Sequence, residues 1–187
     1  ATAAGARRLA QLVAQPLAQA SAINARLDGV SFFFNDEALC AGTAQALRGV
    51  PDLERALARV TARRGSPRDL AAIAEGIARA HHMAGTLAQA AAVPDVVTAH
   101  VATLRAAPLA LAHETQAALA ESLPLLARDG GFVAAGFHAE LDQSRQLRDE
   151  TRSVIAALQA HYVGHTGVRQ LKIKHNNLLG YFIEVPQ

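Results

Sequence analysis

The sequence is poor in several residue types, and each shortage excludes something. Cys40 is the single cysteine among 187 residues, so no internal disulfide framework can form and a reducing compartment suits the chain. Tryptophan is absent and aromatic residues make up 4% of the chain, which argues against a core built on large rings. No apolar run approaches the roughly 18 residues of a transmembrane helix. Formal net charge is only +2, despite a pI near 9.1. One or two charges move pI strongly near neutrality, so charge alone does not require a nucleic-acid partner. The phosphate-loop pattern GxxxxGK[ST] is missing, as are GxSxG, HExxH, CxxC and GxGxxG. The chain as given therefore has no sequence basis for a phosphate loop, a nucleophile elbow or a helix-borne zinc protease site.

What is abundant is small and helical. There are 43 alanines, and apolar residues reach 51%. Alanine has the best helix propensity and buries little area, so the composition favours closely packed helices. Arg7-Arg8 followed by LAQLVAQPLAQASA loosely mimics a secretion signal. Gln11, Gln15 and Gln19 interrupt its apolar run and Pro16 splits it, so it is read as part of the fold. The first residue is not Met and the last, Gln187, follows a strand pattern, which suggests a fragment of a longer protein.

The helical pattern runs in order. Thr2–Ala14 carries Leu9, Leu12 and Val13 on one face, and Pro16 ends it. Ser21 is taken as the cap of a second helix with Ile23, Leu27 and Val30, continued by a Phe32-Phe33-Phe34 cluster assigned to the core. Asp36 caps a third helix through Leu47. Pro51-Asp52 opens a fourth with Leu53, Leu57 and Val60. Gly65-Ser66-Pro67 opens a fifth with Leu70, Ile73, Ile77 and Leu87. Pro94 begins a sixth, and Pro108 a seventh carrying Leu109, Leu111, Leu119 and Leu123. Arg128–His138 is glycine-rich and reads as a loop or short extended segment. Ala139–Val163 is the longest polar helix, roughly 35–40 Å at 1.5 Å per residue. Its apolar stripe is thin, and Gly164 and Gly167 are expected to stop it.

The last stretch, RQLKIKHNNLLGYFIEV from Arg169 to Val185, alternates with period two. Leu171, Ile173 and His175 point one way, Lys172 and Lys174 the other. After an Asn176-Asn177 turn signal, Tyr181, Ile183 and Val185 alternate with Phe182 and Glu184. This is a β-hairpin pattern. Lys172 and Lys174 are the only lysines in the chain. Their face reads either as a solvated edge of the sheet or as a contact for phosphates, and composition alone favours the first. The expected architecture is mainly α: a helical core domain over residues 1–137, a long helix over 138–164, and a C-terminal β-hairpin over 165–187.

Other candidates have structural readings. His161 and His165 share a helix face, but zinc wants at least three protein ligands and no third is evident. His81 and His82 are read as surface or partly buried polar positions, Asp129 before Gly130-Gly131 as a turn. Glu54 with Arg55 and Arg59 reads as an ion network, and Cys40 as a buried inert thiol. No catalytic, metal or cofactor constellation emerges.

Several blocks, in order, resemble the MutS-type DNA mismatch-repair ATPases. They are GARRL from Gly5 with Pro16-Leu17 and INARLD (Ile23–Asp28), then DLERALAR (Asp52–Arg59) running to RGSPRDL (Arg64–Leu70). Then come RDGG from Arg128, GFHAELD (Gly136–Asp142) and LRD (Leu147–Asp149), and finally LKIKHNNLLGYFIEV (Leu171–Val185). Together they span essentially the whole chain. The chain departs from the family at Leu12, where an aromatic is usual, and at Arg8, where Leu is common.

The resemblance implies the core, or lever, region of such a protein, running into the first strands of its clamp. It implies no catalysis in this stretch, with ATP and Mg handled by an ATPase domain elsewhere in the parent. It also implies duplex DNA, a homodimer and a MutL-type protein as the parent's partners, no membrane, and a bacterial cytoplasmic, nucleoid-associated setting. Arg169, Lys172, Lys174, His175 and Asn176 are the candidate DNA-backbone contacts, resting on charge and strand geometry. Any binding by this stretch alone is expected to be weak and salt-sensitive, about 10⁻⁴ M or weaker. A hairpin cut from its partner strands is marginal in water, so it is expected to be poorly ordered, remodelled or paired with another copy. The alternative reading is a helical protein-interaction scaffold, or a paralogue acting in recombination. A mismatch-reading domain upstream would separate the two.

Overall fold

The computed structural model describes residues 2–185. Within them lie eight α-helices and one two-stranded antiparallel sheet: α1 (Ala3–Ala14), α2 (Ala20–Phe34), α3 (Glu37–Leu47), α4 (Leu53–Thr61), α5 (Pro67–Ala88), α6 (Asp95–Arg105), α7 (Leu109–Ala118), α8 (Ala139–Thr166), β1 (Lys172–Asn176) and β2 (Gly180–Glu184). The chain divides into two compact units, Ala1–Ala134 and Ala135–Gln187. The mainly helical class and the terminal hairpin agree with the sequence pattern.

Most helix starts are set by local capping chemistry. The first N–H groups of a helix have no partner within it, and a short polar side chain just before them supplies one. Thr2 accepts from Gly5 N–H, Asp36 from Leu39 N–H and Asp52 from Arg55 N–H. At α5 the arrangement is reciprocal: Ser66 Oγ accepts from Asp69 N–H, and Asp69 Oδ2 accepts from Ser66 N–H at 2.9 Å.

Three boundaries differ from the sequence pattern. The α2 helix begins at Ala20 with Gln19 at its cap, so Ser21 lies inside it; no side chain caps this end. The α7 helix stops at Ala118, leaving Leu119 and Leu123 outside. There the backbone pairs with the glycine-rich segment instead: Leu119 opposes Val133, Ala120 N–H donates to Phe132 and Ala134 N–H to Ala118. The α8 helix passes through Gly164 and ends at Gly167, whose φ of 74° forms a left-handed cap. A single internal glycine weakens a helix by about 1 kcal/mol without breaking it, whereas the left-handed cap turns the chain away.

The core of the first unit is made by small residues. Ala84, Leu87, Val97 and Val101 form one buried cluster, flanked by Phe32, Phe33, Leu39 and Met83. Ala74, Ile77 and Ala112 form another where α5 meets α7. Where α4 meets α5, a Cβ on Gly76 would stand 2.3 Å from a methyl of Leu53, so glycine is what permits that approach. Two expectations fail here. Phe32 and Phe33 pack edge-on at 5.0 Å, but Phe34 is 84% exposed. Cys40 is exposed as well. Helical spacing placed both on an apolar face, and no element among the described residues covers that part of it.

Ion pairs tie the same unit together, with partners different from those the sequence suggested. Arg7 spans from α1 to Asp52 (2.7 and 2.9 Å) and Glu54 (2.7 Å). Arg59 turns instead to the buried Asp69, donating from Nε at 2.9 Å and from Nη2. Hydrogen bonds from Arg7 hold Asp52 at a pKa of about 2, and those from Arg59 do the same for Asp69. His81 contacts the Ala107 carbonyl through Nε2 (2.7 Å), a partly buried structural link.

In the second unit, α8 buries no residue. Polar neighbours along its own surface support it, including Arg145–Asp142 at 2.9 Å and Gln146–Glu150 at 2.8 Å. Leu171 is the buried anchor, just before β1.

Candidate nucleic-acid interface

The hairpin pairs in one register: Lys172 opposite Glu184, Ile173 opposite Ile183, Lys174 opposite Phe182, His175 opposite Tyr181 and Asn176 opposite Gly180. Side chains alternate across a strand, so this register sorts them onto two faces. One carries Lys172, Lys174, Phe182 and Glu184; the other carries Ile173, His175, Tyr181 and Ile183.

The five candidate contacts fall into different environments. Lys174 Nζ lies 2.5 Å from Glu184 Oε2, a diagonal cross-strand pair that offsets part of its charge. Lys172 and Arg169 have no carboxylate partner among the described residues, and both line an open concavity of about 620 Å³ with Gln170, Glu184 and Val185. His175 stands on the opposite face, edge-on to Tyr181 at 4.9 Å. The Asn176 side chain is used in the turn, its Oδ1 accepting from Leu178 N–H (3.0 Å) and Leu179 N–H (2.7 Å). The structure thus brings Arg169, Lys172 and Lys174 toward one side, and separates His175 and Asn176 from them.

Chemically the arrangement is a small surface with three cations and one carboxylate. Flexible cations held on a strand can meet phosphate oxygens without reading bases. No group of three metal-ligating side chains occurs among the described residues. His161 and His165 stack in parallel, centroids 6.3 Å apart, with no further ligand beside them. The sequence contains no phosphate-loop pattern GxxxxGK[ST]. No helix among the described residues is long and apolar enough to cross a membrane.

Sequence reasoning missed Gln159. Its Oε1 accepts from the Ile173 N–H at 2.9 Å, joining α8 to β1. It sits among other glutamines on a polar helix, and no local pattern distinguishes it.

Comparison with known proteins agrees with this layout. The sequence profile of MutS domain III matches residues 1–166, ending where α8 ends. Two strains of Rhodopseudomonas palustris, BisB5 and BisA53, have proteins 50% and 51% identical over 184 residues. One from Nitrobacter hamburgensis is 49% identical over 187. Each is named DNA mismatch repair protein MutS, and each alignment covers 98% of this chain and 20% of the relative. The chain spans about a fifth of the length of these relatives. It belongs to the MutS family, and residues 1–166 correspond to that family's domain III.

Proposed function

We propose that this chain serves DNA mismatch repair as a non-catalytic segment of a MutS protein, linking a DNA-holding clamp to an ATPase elsewhere in the parent. In this reading the first unit is a packed support, α8 is the lever, and the hairpin meets the DNA backbone without sequence preference. The parent's partners would be duplex DNA, a second copy of itself and a MutL-type protein, and its ATPase would use ATP and Mg in the bacterial cytoplasm, at the nucleoid. The names of the relatives support the repair role.

The observation that carries the DNA contact is the pairing pattern of the cations. Among the described residues, Arg169 and Lys172 are exposed with no acidic partner, whereas Arg145, Arg148 and Arg152 of α8 face aspartates on their own helix. Each phosphate neutralised adds about −0.9 to the slope of log K against log salt. Replacing both Arg169 and Lys172 by Ala should weaken binding to any duplex and reduce that slope by nearly two. Lys174→Ala should have a smaller effect, because Glu184 already offsets its charge. Binding isotherms on duplexes of several sequences over a salt series test this. An unchanged slope in the double variant would remove Arg169 and Lys172 from the DNA contact.

A further inference from the structure

The hydrogen bond between Gln159 and Ile173 has a geometric meaning. In an antiparallel pair, N–H groups point alternately toward the partner strand and away from it. The Ile173 N–H goes to a side chain of α8, so it is an outward donor on the open edge of β1. Open edges expose a row of such donors and invite another strand. Here one position of the edge is closed by the adjacent helix. Leu171, two residues earlier, is 4% exposed and is the one buried side chain among the described residues of the hairpin region. Ile155, Gln159 and Tyr162 recur at helical spacing as half-buried positions of α8. A buried apolar residue and a directional polar contact therefore lie two positions apart, and the polar contact, being directional, fixes the angle of strand on helix.

We propose that Gln159 is a positioning residue: its side-chain carbonyl takes the outward N–H of Ile173, seating β1 on α8 so that helix and hairpin move as one body and that edge position is closed to strand addition. This goes beyond any DNA contact and stands whether or not the hairpin meets phosphates. Among the described residues, the neighbouring side-chain hydrogen bonds do not join helix to strand in this way. Thr166 Oγ1 accepts from Val168 N–H within the connecting turn, and bonds from Asn176 lie at the far tip.

The test uses the 187-residue chain with Gln159→Ala and Gln159→Glu. Alanine is the better helix former, so the first variant removes the acceptor without weakening α8. The second keeps a side-chain oxygen at the same reach. Amide hydrogen exchange should show Ile173 accelerating about 3- to 10-fold in Gln159→Ala, the scale of one lost hydrogen bond, with α8 amides unchanged. Gln159→Glu should restore protection. Spin labels at Ser153→Cys and Leu178→Cys, in a Cys40→Ser background, read the geometry directly. The distance distribution should broaden in Gln159→Ala and narrow again in Gln159→Glu. Unchanged exchange at Ile173, or an unbroadened distribution, would overturn the inference, as would failure of Glu to rescue. A broadened distribution in a chain that shows no salt-dependent DNA binding would keep Gln159 in this role and discard the hairpin's contact with DNA instead.

Discussion

The two units are held by opposite means. In Ala1–Ala134, α5 touches α4, α6 and α7 along its length, and the contact positions include Ala74, Gly76 and Ala84. Stability there depends on how near the backbones can come. In Ala135–Gln187, α8 buries nothing, and order comes from capping, neighbouring charges, Leu171 and a five-residue ladder. The first unit is specified by what it leaves out, the second by what it adds one polar contact at a time. A sequence with few large side chains can build both, because alanine serves tight packing and helix propensity together.

The comparison can be broken at its strongest point by Asp69. It is buried, capped against Ser66 and bonded by Arg59. Asp69→Ala leaves the Arg59 guanidinium without its carboxylate and removes the acceptor of the Ser66 N–H and Oγ–H, the reciprocal half of the capping box, and should cost about 3 kcal/mol in urea unfolding. The wild-type pair also sets a pH window. The Arg59 and Ser66 hydrogen bonds lower the folded pKa from its ordinary 3.8 to about 2. A depressed carboxylate contributes stability above the unfolded value and loses it as pH falls through the folded one. The first unit should therefore weaken from just above pH 4 down to pH 2, and Asp69→Asn should remove that part of the slope.

Leu171→Ala addresses the other side. Truncating this buried anchor should cost about 2–3 kcal/mol locally, read as faster amide exchange across β1 and β2. If hairpin protection is unchanged, the second unit does not depend on a single apolar contact. Gly76→Val should cost about 2 kcal/mol in thermal unfolding, because the added methyls meet Leu53. If it is neutral, the approach of α4 to α5 is looser than the distances show. At the small end, Phe34→Ser should shift stability by no more than about 0.5 kcal/mol, since the ring is 84% exposed. A large loss would mean that α2 is covered where the structure shows it open.

What was legible in the sequence was local. Asp36, Asp52 and Ser66 cap helices through bonds to residues three positions on, a spacing visible in one dimension. The hairpin was legible because alternation and turn residues lie within one short stretch. The end of α7 was not, because Leu119 finds its partner at Val133, fourteen residues away. Helical periodicity showed that Val30, Phe34 and Cys40 belong to apolar patterns, but could not show whether another element covers them. For the candidate interface, the cations stood out by their type, while the Lys174–Glu184 pair needed the register and Gln159 needed the tertiary contact. Charge can be read from a sequence; which charge is already answered cannot.

The length of α8 sets a gain. Its 28 residues span about 42 Å at 1.5 Å per residue. Rotating such a rod about Ala139 by about 10° would sweep Thr166 through roughly 7 Å, close to two steps of about 3.4 Å along one DNA strand. If the hairpin meets the DNA backbone as proposed, a tilt small enough to be absorbed by side-chain adjustment at one end would be a change of phosphate register at the other.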